Sequence, residues 1–130
     1  MLLGDLRHLS SSQVKWYAEK IAWFKNLRRS IDLNEGFFPL GDWFQPKSTA
    51  WDGFARLSRE GDGMMVVFKN ESNARDVTVS IPNYPAGKFN LHSVMTSEPI
   101  GVFTGSQIRN GVVLPIPLQH KVQIVEARKA

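Results

Sequence analysis

The chain has 130 residues, 42 % of them hydrophobic, with 16 Lys and Arg against 12 Asp and Glu, a net charge of +4, and no cysteine. Without cysteine, disulfide staples, thiol chemistry and thiolate metal sites are excluded. The cations are spread along the chain apart from one helix end, so the charge bears on solubility and argues against a nucleic-acid partner.

Four Trp, two Tyr and eight Phe are enough for a packed core, in a length that suits one domain or one domain plus a fragment of another. No run approaches the roughly 18 to 20 apolar residues that cross a bilayer, so no membrane segment is expected.

The chain opens with MLLGDL, an apolar run halted by Gly4-Asp5, which predicts a buried strand ending in a turn. MLLGDLRHL has an acid almost at once and no basic region before a long apolar run, so it does not read as a signal peptide. An exported protein would carry its signal upstream, and the compartment stays open.

A long helix is predicted from Ser10 to Ile31, the one segment with a sustained helical rhythm. Ser10 and Gln13 stand at capping-box spacing, Leu9 and Val14 at the staple positions, and Lys25, Arg28 and Arg29 gather near the negative end of the helix dipole. The helix carries two apolar stripes. Val14, Tyr17, Ala18, Ile21 and Phe24 form one, and Trp16, Trp23 and Leu27 the other. A surface helix buries one stripe, so two imply cover on both sides, either from the chain's own domain or from a second one. A strand followed by a helix is one β-α unit, and a parallel strand needs neighbours, which suggests that residues 1–31 are the tail of a larger α/β domain.

From residue 32 onward the pattern is strands and turns. Phe37, Phe38 and Leu40 form a short strand that Pro39 confines to an edge. GFARLSR, the hairpin turn EGDG and the near-continuous apolar run MMVVFKN follow, the last reading as a central strand covered on both faces. RDVTVSI alternates, with Val77, Val79 and Ile81 facing in and Asp76, Thr78 and Ser80 out. KFNLHSV, EPIGVFTG, GVVLPIP and QHKVQIVEAR complete the set, with Val122 and Ile124 on one face of the last. Seven or eight strands with no helix between them predict a mainly β chain: residues 32–130 as an antiparallel β-sandwich, preceded by one long N-terminal helix.

Chemistry is sparse. Asp42, Asp52, Glu60 and Asp62 fit turn geometry and solubility, and His8, His92 and His120 have no second ligand at metal spacing, so neither a metal nor a cofactor is expected. No nucleophile elbow, phosphate loop or dinucleotide fingerprint occurs. Asp5 and Arg7 stand where an α/β barrel keeps working residues, at the carboxyl end of a strand, but one carboxylate does not make a catalytic pair. Trp43, Phe44, Trp51 and Phe54 offer two readings: an exposed row that stacks on sugar C–H faces, or a plug between helix and sandwich.

Two stretches, LGDLRHLSSSQVKWYAEKIAWFKNLR and WDGFARLSREGDGMMVVFKNES, resemble the C-terminal end of clan D, melibiase-type α-galactosidases. The likeness lies in Gly4-Asp5 at a last-strand turn, Leu9-Ser10 opening the last helix, and Phe24-Lys25-Asn26-Leu27-Arg28 near its end. It is specific over residues 3–28 and looser over 51–72. The resemblance implies that 1–31 is the terminal β-α unit of a (β/α)8 barrel, followed by a C-terminal sandwich. It also implies that the two catalytic aspartates of a retaining glycosidase lie on strands outside this chain. Asp5 and Arg7 would then shape a pocket rim, and no catalytic residue is expected here. Trp16, Trp23 and Leu27 become an interdomain face whose partner is the barrel. A carbohydrate-binding module and a protein that homodimerises through its helix are the competing expectations.

Overall fold

The computed structural model describes residues 10–32, 36–41, 51–69, 75–117 and 121–130. It comprises two units, Met1–Ser30 and Ile31–Ala130.

The first unit contains helix α1, Ser11–Ser30. It starts where the sequence predicts. The backbone N–H of Ser10 donates to Gln13 Oε1 at 2.8 Å, and the Gln13 N–H returns a bond to Ser10 Oγ at 3.2 Å. At the far end Ser30 Oγ donates to the Leu27 carbonyl, and Arg28 and Arg29 occupy the last turn. No described helix is long and apolar enough to cross a membrane.

The second unit is mainly β and sandwich-like, with eight strands among its described residues. They are β1 (Gly36–Gly41), β2 (Asp52–Leu57), β3 (Gly63–Phe68), β4 (Asp76–Val79), β5 (Lys88–Ser93), β6 (Pro99–Thr104), β7 (Val112–Pro115) and β8 (Val122–Lys129). Six form one antiparallel sheet in the order β1-β2-β3-β8-β5-β6, and β4 pairs with β7 in a second. Pro39 does sit in an edge strand, as the sequence predicts. The β2–β3 hairpin turns through Ser58–Asp62. Its Gly61 adopts φ +94°, a conformation that a side chain would strain.

The two sheets share one core. Ala55, Leu57, Met65, Val67, Phe89, Leu91, Val125 and Ala127 of the large sheet meet Val77, Val79, Val112 and Leu114 of the small one. The expected alternation of Val77 and Val79 against Asp76 and Thr78 holds, and β3, an interior strand of the large sheet, is buried over five of its six residues. In β8 the fully buried positions are Gln123, Val125 and Ala127. Val122 and Ile124 share the opposite, half-buried face.

One expectation fails. A short helix, α2 (Gly105–Asn110), interrupts the strands between β6 and β7. Thr104 caps it: its side chain accepts from the Gln107 N–H at 3.1 Å, and Gln107 Oε1 accepts from the Thr104 N–H at 2.8 Å. The Thr-x-x-Gln spacing is the same signal that marks α1, on a helix too short to show periodicity. Its Ile108 is fully buried in the shared core, which is what holds so short a helix in place.

Candidate functional site

The sequence-derived candidates divide according to where the chain places them. Asp5, Arg7, Trp43 and Phe44, like His8, Asp42 and His120, lie outside the described residues. So does the opening MLLGDL strand.

Of the helix face, Leu27 is buried (1 % exposed), whereas Trp16 and Trp23 are half-buried. Both rings have neighbours on the helix itself. Trp16 packs edge-on against Tyr17 with Lys20 over its ring, and Trp23 leans on Phe24, which Arg28 overlies. On the other stripe Val14 (48 %) and Ile21 (43 %) stay exposed.

Trp51 and Phe54 do not form one row. Trp51 packs against the sandwich core, while Phe54 stands on the opposite, outer face of the large sheet. There it joins aromatics that the sequence reading did not group with it. Its ring stacks on Phe37 at 5.9 Å and tilts toward Phe68 at 6.3 Å, with the Arg56 guanidinium over Phe37 at 5.1 Å. Strand register makes this grouping: Phe54 lies opposite Pro39 on one side and Val66 on the other, so Phe37 and Phe68 become its diagonal neighbours. Phe37 (46 %) and Phe68 (39 %) are partly exposed.

Among the described residues the carboxylates do not pair. Glu60 is exposed at the β2–β3 turn, and Asp62 is a structural acceptor for the Lys129 N–H at 2.6 Å. Asp52 lies in β2 rather than in a turn, opposite Phe68. His92 is in strand β5, opposite Glu126, with Nε2 3.2 Å from its carboxylate; Arg128 approaches the same carboxylate at 3.5 Å. Among the described residues no group of three or more His, Asp or Glu is placed to hold a metal ion.

Tyr84 is a strongly perturbed titratable group among the described residues. Burial pushes its phenol well above the ordinary range, and the negative charge of Asp62 adds to the effect. Its hydroxyl donates to the Gly61 carbonyl, its ring packs edge-on to Phe89, and Arg109 donates to its carbonyl. These contacts fasten the hairpin turn and α2 to the core, which is a structural role.

Described residues of the β unit line two concave sites. One, of about 250 Å³, lies between Phe38, Leu57–Arg59 and Ile81–Pro85. The other, of about 370 Å³, is bounded by Ile100 and Phe103 of β6, by Val113 and Pro115 of β7, and by Thr96, Glu98 and Gln123. No sequence signal marks the second, because its lining comes from strands of both sheets, β6 and β8 of the larger and β7 of the smaller, that meet only in the folded unit.

Comparison of the chain with family models, with curated proteins and with solved structures gives no match.

Proposed function

We propose that this chain is the noncatalytic C-terminal part of an α-galactosidase-like glycoside hydrolase, serving stability and interdomain packing. The observation that carries the reading is the exposed stripe of Val14 and Ile21 on a helix whose other stripe ends in the buried Leu27. A helix with apolar residues left on its second side suits a neighbour that packs there. The order of elements, one long helix and then an antiparallel two-sheet unit, agrees with the motif resemblance of residues 3–28. The sandwich has a continuous core of its own, as an accessory domain requires.

The barrel of such an enzyme would supply both catalytic aspartates, and this chain would supply packing surface. Assayed alone on aryl α-galactosides, the chain gives no turnover above background, and measurable hydrolysis overturns the noncatalytic reading. Mixed with a separately produced α-galactosidase barrel, it forms a complex that Val14→Asp with Ile21→Asp abolishes while the sandwich stays folded. Light scattering that shows a stable dimer, broken by the same pair of changes, favours helix-mediated self-association instead.

A further inference from the structure

We propose that the cavity beside β7 is a binding site for a single pyranose-sized sugar unit, a role separate from packing and independent of the barrel assignment. Its volume of about 370 Å³ falls within the range of small-molecule sites, which begins near 300 Å³.

The lining has two kinds of wall. Phe103 and Ile100 form an apolar one, both seated against the sandwich core and so fixed in position. The polar one is built on Gln123, buried to 1 % exposure. Its Oε1 accepts from Ser93 Oγ at 2.8 Å, and its Nε2 donates to the Pro115 carbonyl at 2.7 Å. A carboxamide nitrogen carries two N–H groups, so one donor remains after the bond to Pro115. Toward the rim stand the exposed Thr96 and Glu98, and the Glu98 carboxylate makes no ion pair among the described residues.

This combination selects the ligand. A hydrocarbon would leave the Gln123 N–H and the Glu98 carboxylate unused, and an anion would meet the carboxylate's repulsion. An alkylammonium ion would satisfy Glu98 but offer nothing to the Gln123 donor. A pyranose lays its C–H face on Phe103, presents a hydroxyl oxygen to Gln123, and donates hydroxyl protons to Glu98 and Thr96. Hydrogen bonds to the Glu98 carboxylate are the stronger of these.

The test is a titration of the isotope-labelled 130-residue chain with neutral hexoses, read by NMR amide shifts, with n-butylamine as the cationic control. Saturable shifts are expected at Thr96, Glu98, Phe103 and Gln123, with weaker or absent effects from the amine. Glu98→Gln, at an exposed position, should leave the thermal midpoint in place and weaken hexose binding at least tenfold. The proposal is overturned if no hexose gives saturable shifts at those residues. It is equally overturned if Glu98→Gln binds as tightly as the parent chain, or if the amine binds more tightly than every hexose.

Discussion

Gln123 of β8 donates through Nε2 to the carbonyl of Pro115 on β7 at 2.7 Å, and this bond ties the six-stranded sheet to the two-stranded one. A buried carboxamide on an inner sheet face needs such partners, since an unpaired amide there is costly. Here Ser93 Oγ donates to the oxygen, and the Pro115 carbonyl accepts one of the two N–H groups of the nitrogen. Changing Gln123→Leu strands the Pro115 carbonyl and the Ser93 hydroxyl, and should cost about 2 kcal/mol. The thermal midpoint followed by circular dichroism should fall by about 10 °C, and an unchanged midpoint would show that the bridge contributes nothing.

Tyr84 sets an alkaline limit on stability. The folded phenol ionises well above its ordinary range, for reasons of burial first and Asp62 second, whereas in the unfolded chain it ionises near pH 10. The neutral phenol's contribution is therefore complete below about pH 10 and is lost as pH rises past that value toward the folded pKa. Urea unfolding of the parent between neutral and strongly alkaline pH should show this decline. Tyr84→Phe should be less stable at neutral pH by about 1 kcal/mol, through the lost bond to Gly61, but flatter across the alkaline range. Equal alkaline slopes in the two proteins would remove Tyr84 as the cause.

Gly105 opens α2 against the Pro85–Ala86 backbone. A Cβ there would stand 1.9 Å from the Pro85 oxygen, and backbone cannot yield as a side-chain tip can. Gly105→Ala should destabilise by about 1–3 kcal/mol, while Ser106→Ala, one residue on and exposed, should stay within about 0.5 kcal/mol of the parent. Chemical denaturation of the two variants side by side decides it.

Strand β3 offers a comparison of its two faces. Met65 is fully buried in the shared core, whereas Phe68 is on the outer face and 39 % exposed. Met65→Ala should cost about 2–5 kcal/mol through a cavity. Phe68→Ala removes a ring contact with Phe54 worth about 1 kcal/mol. Equal losses in urea titrations would mean that the outer aromatic group carries as much stability as the core.

Local rules account for what the sequence by itself determined. The Ser10–Gln13 box, the Gly-rich β2–β3 hairpin, the edge position of Pro39 and the alternation of Val77 and Val79 each depend on a few adjacent residues, so each could be read in the linear chain. The mainly β class followed from summing such signals. Tertiary structure alone decided that β8 inserts between β3 and β5, that β4 and β7 leave to form a second sheet, and that α2 can stand on six residues. Those choices rest on pairings and burial between residues far apart in sequence, which no local propensity encodes. The candidate site follows the same division. Trp51 and Phe54 look like neighbours in the sequence, but strand pleating sends them to opposite faces of the sheet. Ser93, Phe103, Pro115 and Gln123, spread over thirty residues, line one cavity because the strands that carry them converge there.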